Sequence, residues 1–265
     1  MSNTKYLGFR QKDFAASFSK FYDENVAPVK AEILTSMQVK ISLPSLAEAA
    51  QNLTQNGHNE YETGYELLPN GEQRVAVLTT MHDVTPPMWS WWFGWHGCRD
   101  NRYKLWHPKA HVAAAWQDRK DDTAYIGRTS QIQEYIGETL EKANIRFFEP
   151  TELNFSEKYI ADNEEVAVIC ARLGLTTFPL DFGYLIHQIR KTEQGAEMRS
   201  RFFMGGEHIA IRSNSFFAKS ISKLLQKYYR LPEQQAIDLL THCSEEMNHL
   251  AKVLPKLYQE ENKKP

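Results

Sequence analysis

The order of its segments is what most limits how this chain can fold. From Tyr65 to Met204, apolar strand-like runs alternate with turn residues; after Asn214 the pattern becomes helical and stays so. Residues 65–68, the turn Pro69-Asn70-Gly71-Glu72 and residues 74–81 read as a hairpin, because Asn70-Gly71 is a pair that accepts positive φ in a tight loop. Further strands are expected over 132–136, at Phe147-Phe148, over 153–155, over 166–173 and over 182–189. A turn at Gln194-Gly195 pairs the last of these with a strand over 196–204. An amphipathic helix follows over 214–228. A second begins after Leu231, with Pro232 in its first turn and Glu233 suited to the helix dipole. It runs to about Leu254, where Pro255 ends or kinks it, and Leu239, Leu240, Met247, Leu250 and Val253 supply its buried face. Helices, then an antiparallel sheet, then a long C-terminal helix describe an α+β protein, and such a helix against a curved sheet makes a deep cavity.

Residues 1–60 form a small, mainly helical N-terminal region ahead of a main domain over 61–265. Phe14, Phe18, Tyr22 and Val26 recur at about one helical turn until Pro28, Ser45 caps a short helix over 45–51, and 52–60 is a polar loop. The region carries no chemical motif and suits a lid, an edge or an association element, which leaves a homodimer open. Pro86-Pro87 starts a helix through Trp95; 103–116 reads as a loop with strand character, and 117–122 as a solvated charge run. A net charge of −2 gives no electrostatic reason to expect nucleic acid or an anionic membrane as partner. Cys98, Cys170 and Cys243 form no Cys-x-x-Cys pair, so neither a disulfide framework nor a thiolate zinc knot is expected. Residues 1–6 lack the apolar core of a signal peptide, and no apolar run is long enough to cross a bilayer; the expectation is cytoplasmic.

The chemistry concentrates in two places. Between Trp91 and His111 lie four of the six tryptophans and three of the nine histidines, a mixture suited to an apolar pocket with polar groups at its base. On the last helix His242 and Glu246 are one turn apart and share a face, which is metal-ligand spacing. Glu245 and His249 repeat that spacing and read as a solvated ion pair, although His249 also follows Glu246 by three positions and so is open to joining the site. Further ligands must come from elsewhere: His111 and His107 are the obvious imidazoles, and Glu134 shares a strand face with Ile132 and Ile136. A carboxylate there needs a partner, a metal or an arginine such as Arg128 or Arg199. His187 sits in an apolar strand. Arg199 and Arg201 share one side of another, suited to holding a carboxylate or phenolate or to lying outside. Thermolysin-like, nucleophile-elbow, phosphate-loop and dinucleotide signatures are absent.

Several stretches together resemble the diacetylphloroglucinol hydrolase family, which includes phloretin hydrolases. They are Trp91-Trp92-Phe93-Gly94-Trp95-His96, Arg102-Tyr103-Lys104-Leu105-Trp106, Pro108-Lys109-Ala110-His111, Gly127-Arg128-Thr129, Glu134-Tyr135-Ile136-Gly137, Gly195 through Phe202, and His242 with Glu246. The resemblance covers roughly 60–255. It implies a helix-grip (Bet v 1-like) catalytic domain and zinc-dependent hydrolysis of the carbon–carbon bond between a phenolic ring and an acyl group, with a small aromatic acyl-phenol as substrate. It implies zinc ligands at His111, Glu134, His242 and Glu246, with Tyr103 and His187 near the substrate. Trp92 and Trp95 would hold the flat ring. A second substrate-binding tyrosine of the family falls near Phe202, which lacks a hydroxyl; that departure leaves the exact substrate open. The alternatives are a metal-free binder of flat aromatic ligands in the same cavity, and a metal-dependent ester or lactone hydrolase.

Overall fold

The computed structural model describes residues 7–36, 41–121 and 124–263. The expectations for residues 1–6, for Asp122 in the charge run and for the last two residues of the tail lie outside them. One antiparallel sheet contains β1 (Gly64–Leu67), β2 (Glu72–His82), β3 (His111–Trp116), β4 (Thr129–Ile136), β5 (Thr139–Phe148), β6 (Val166–Leu175), β7 (Leu180–Thr192), β8 (Gly195–Gly205) and β9 (Ala210–Ile211). Its order is β1-β2-β8-β7-β6-β5-β4-β3, with β9 beside β7. The expected β1–β2 hairpin is present with Leu67 opposite Gln73, although only Gly71 of its turn takes a positive φ, 88°. Gly195 at the β7–β8 turn has φ 146°, and a Cβ there would stand 2.2 Å from the Met81 carbonyl oxygen, so no other residue fits without moving β2.

The helices are α1 (Ala31–Ser36), α2 (Ala49–Leu53), α3 (Pro86–His96), α4 (Asp100–Trp106), α5 (Glu157–Ile160), α6 (Phe216–Tyr228), α7 (Glu233–Ala251) and α8 (Leu254–Glu261). α7 packs against β1, β2 and β4, which lie toward opposite ends of the strand order, so the sheet curls round it. This is the α+β arrangement expected from the segment order, and the helix-grip form that the family resemblance implies. Pro255 falls in the first turn of α8 and separates it from α7. Leu240, Met247 and Leu250 of α7 are fully buried in a core shared with Trp89, Trp92, Ile169, Ile189 and Met198.

Three segments differ from expectation. Phe14 to Val26 is not one helix: two short 3-10 turns, Gln11–Ala15 and Ser17–Phe21, flank Ala16 in an extended conformation. Their aromatics satisfy one another instead, with Phe9 stacked on Tyr22 at 4.1 Å and Phe18 edge-on to Trp95 at 5.1 Å. The start of 103–116 is helical, because Asp100 opens α4 and its carboxylate accepts the Ala114 N–H at 3.1 Å. Residues 153–155 leave the sheet, since Pro150 opens a 3-10 turn and Asn154 closes it at φ 66°.

On the outer face of β8, Arg199 and Arg201 do hold a carboxylate, and it is the chain's own Glu62. Arg199 donates to both Glu62 oxygens, at 3.0 and 2.7 Å, and to the Leu53 carbonyl at 3.0 Å, while Arg201 donates to Glu62 Oε2. The bridge fastens the loop after α2 to the sheet. Removing either partner would leave a buried charge unpaired. Burial alone would raise the Glu62 pKa, but the two arginines outweigh it and hold it at about 2. Burial lowers His96 to about 4 and His187 to about 3, so both are neutral at pH 7. Each of these shifts makes the unfolded chain bind more protons than the folded one as pH falls. The urea midpoint should therefore decline as pH drops below about 6.5, through the histidines, and again below about 4.5, through the carboxylates. Glu62→Gln should flatten the lower segment without abolishing it, since Glu72 is also held at about 2. An unaltered lower segment in that variant would contradict this account.

Candidate metal centre and cavity

α7 supplies two candidate ligands by periodicity alone: His242 and Glu246 project from one face, with His242 Nε2 3.6 Å from Glu246 Oε2. β3 and β4 supply two more by register. A bulge between His111 and Ala113 sets His111 directly opposite Glu134, so the imidazole and the carboxylate are cross-strand neighbours. The turn that delivers His111 is helical, with the His111 N–H donating to the His107 carbonyl at 2.9 Å.

These four side chains converge. His111 Nε2 lies 3.3 Å from Glu134 Oε2, 3.4 Å from Glu246 Oε2 and 3.4 Å from His242 Nε2; His242 Nε2 lies 3.7 Å from Glu134 Oε2. A tetrahedral ion with bonds of about 2.0–2.1 Å holds its ligand atoms roughly 3.3–3.4 Å apart. Two imidazoles and two carboxylates are also a donor set suited to zinc, and to iron, manganese or cobalt. His111, Glu134 and His242 form a group whose ligand atoms lie within 4.8 Å of one another, fit to hold an ion. Nδ1 of His111 is paired with the Tyr103 carbonyl oxygen at 3.0 Å, which fixes that nitrogen as the donor and leaves the Nε2 lone pair facing the cluster. The Tyr103 ring stacks flat on His111 at 3.8 Å, and its hydroxyl donates to Glu134 Oε2.

Burial dominates the electrostatics. It raises Glu134 to about 7 against the Tyr103 hydrogen bond, and raises Glu246 well above the carboxylate range with Glu134 adding to the effect. It lowers His111, which His242 and His107 lower further, and it lowers His242. Neutral imidazoles are ready to bind a cation, and a cation would reverse the shift on the carboxylates.

The cluster lies in the wall of an apolar cavity of ≈ 120 Å³ between the inner face of the sheet and α7. That is near the ~150 Å³ of an apolar cavity that accepts one benzene ring. Tyr103, Glu134, His187, Phe202, His242 and Glu246 all line it. His187 Nδ1 is 2.8 Å from Ser200 Oγ, and its ring stacks on Phe93 at 5.6 Å and meets Phe202 edge-on at 5.9 Å.

Trp92 and Trp95 are not in the lining. α3 presents Phe93 and His96 to the cavity, α4 presents Tyr103 and Trp106, and Trp92 stands behind, stacked on His96 at 5.2 Å. Successive residues on a helix differ by about 100° in direction, so neighbours cannot all face one space. His111 rather than His107 joins the cluster: His107 Nε2 turns to Glu245 at 3.2 Å. Glu245 and His249 therefore do not make the expected surface pair, and His249 is buried. Neither arginine considered for Glu134 reaches it, since Arg128 pairs with Asp118 and Arg199 with Glu62. Sequence reasoning passed over Phe93, His96, Trp106, Gln235 and Glu141 as lining residues. Glu141 was discoverable, because it stands directly across from Glu134 in the β4–β5 pair.

The chain is similar over 262 residues to a 2,4-diacetylphloroglucinol hydrolase of Pseudomonas protegens, at 26% identity, covering 95% of this chain and 85% of the relative. It is equally similar, at 26% over 272 residues, to a phloretin hydrolase of Eubacterium ramulus, covering 96% and 94% respectively. Among solved structures it is similar to Ara h 8.0201, with TM-score 0.42 and 8% identity over 70% of this chain and 99% of that one. The model of the DAPG hydrolase PhiG domain matches residues 43–259, and the chain belongs to that family.

Proposed function

We propose that this protein is a zinc-dependent hydrolase that cleaves the carbon–carbon bond between a phloroglucinol-like ring and its acyl group, releasing a carboxylic acid. The observation that carries this reading is the set of five ligand-atom separations of 3.3–3.7 Å among His111, Glu134, His242 and Glu246 in the wall of a ring-sized apolar cavity. The names of the two hydrolase relatives support the substrate class. Residues 61–265 carry the chemistry, with residues 1–60 as an N-terminal region of which Phe9, Phe18 and Ile33 pack into the same core. A cytoplasmic setting suits an enzyme of this kind with a bound transition metal and free thiols.

His111, Glu134, His242 and Glu246 would hold zinc, which when bound supplies Lewis acidity toward a carbonyl or water oxygen. The overall reaction adds the hydroxyl of water to the acyl carbon and its proton to the ring carbon, which leaves as the free phenol. Phe93, Trp106 and Phe202 sandwich the flat ring and exclude bulk water. His187 serves as proton carrier at the ring: Ser200 occupies its Nδ1 and can donate or accept, so either tautomer is supported and Nε2 is left for the cavity. Its pKa of about 3 keeps it neutral until negative charge develops on the phenol oxygens beside it. Tyr103, fixed between His111 and Glu134, orients a ring or acyl oxygen.

Metal analysis of purified protein should find near-stoichiometric zinc that His242→Ala and Glu246→Ala each lose. Metal-free wild type would sink the proposal. His187→Ala should retain its zinc while kcat for an acylphloroglucinol falls about 10²–10⁴-fold. If zinc departs in that variant, His187 has been given the wrong role. Chromatography should recover the free acid and the deacylated phenol in equal amounts; cleavage only of esters would point to the other hydrolase class.

A further inference from the structure

The chain-wide charge of −2 averages over an uneven surface. α6 carries Lys219, Lys223 and Lys227 and no acidic residue, and Arg230 follows just beyond its end. Phe217, Ile221, Leu224 and Tyr228 recur at spacings of four, three and four, so they form one stripe along it; the lysines, every fourth residue, form another beside it. The inner face is fixed by buried Ala218 and by Ser222, whose hydroxyl accepts the Ile211 N–H at 2.9 Å. The outer face is bare: Phe216 is 86% exposed, Phe217 74%, Tyr228 65% and Leu224 57%. Clustered exposure of this kind marks an interaction surface.

We propose that α6 is a membrane-surface helix that docks the protein on anionic lipid. Its charge selects the occupant. A second copy packed on the apolar stripe would bring two lysine-rich helices together with no acid on either, and like charges oppose that pairing. An anionic bilayer satisfies both stripes at once, with rings at the headgroup–acyl boundary and ammonium groups at the phosphates. At 13 residues the helix is far too short to span, and no helix among the described residues is long and apolar enough to do so.

The placement of α6 links docking to the cavity. Before α6, Ile211 pairs with Leu180, two residues from the cavity-lining Phe182. After it, α7 begins at Glu233 and carries Gln235 and Leu239 into the lining. Docking would therefore hold this side of the cavity near the bilayer, where apolar acyl-phenols dissolve. That delivery role rests on the proposed function; the docking does not.

Sedimentation of the full chain with vesicles tests it without any substrate, so its failure is separate from failure of the hydrolase reading. At low salt the protein should bind vesicles of phosphatidylcholine mixed equally with phosphatidylglycerol, leave pure phosphatidylcholine vesicles largely unbound, and be released by high salt. Lys219→Gln/Lys223→Gln/Lys227→Gln should weaken binding about a hundredfold. Phe216→Ser/Phe217→Ser should weaken it about tenfold or more, and both variants should keep wild-type thermal unfolding. Absent binding, or equal binding to both vesicles, overturns the proposal. So does a solution dimer that Phe216→Ser/Phe217→Ser converts to monomer, which would assign the face to a second copy.

Discussion

Two carboxylates and two imidazoles share one dry corner of an apolar cavity, and that concentration of polar groups is what the surrounding structure is built to tolerate. Left alone, the carboxylates are driven toward protonation and the imidazoles toward neutrality. A divalent ion at their centre would resolve both tensions together. Each of the four groups is held by a neighbour: the Tyr103 carbonyl sets the His111 tautomer, the Tyr103 hydroxyl steers Glu134, and the spacing on α7 fixes the other two.

The same few elements answer for both shape and chemistry. α3 and α4 are lined with aromatic residues because they fill the mouth of a curled sheet, and their inward residues become the cavity wall. His187 sits on β7 beside Ser200 on β8 because the two strands form one hairpin. Inward residues of the central strands thus line the cavity, while the outward ones, Arg199 and Arg201, clamp the loop before β1.

How much of this the sequence disclosed follows from which rules act locally. That His242 and Glu246 share a face was legible because helical spacing is a local rule, and Glu134 stood out because a carboxylate on an apolar strand face calls for a partner; that these join His111 came only from the resemblance. The two hairpins, over 65–81 and 182–204, and the long terminal helix were legible from turn residues and periodicity; the pairing of β2 with β8, far apart in the chain, was not. The residues that α3 gives to the lining were not: α3 is apolar all round, so its sequence contains no phase, and only packing decides that Phe93 and His96 face inward rather than Trp92 and Trp95. The bulge at His111 is likewise invisible in the residues themselves, because it is a matter of pairing across strands. The N-terminal aromatics mimicked helical spacing while serving to pack on one another and on Trp95.

The separation of the ligands along the chain has a consequence of its own. His111 and His242 are 131 positions apart, yet their ring nitrogens almost touch. An ion bridging them would act as a reversible cross-link closing half the polypeptide into a loop, with the entropic leverage such long closures have on an unfolded chain. Release of such an ion would also loosen the grip of β3 and β4 on α7. A centre of the kind proposed would then be a clasp of the fold as well, and losing the ion would cost stability together with chemistry.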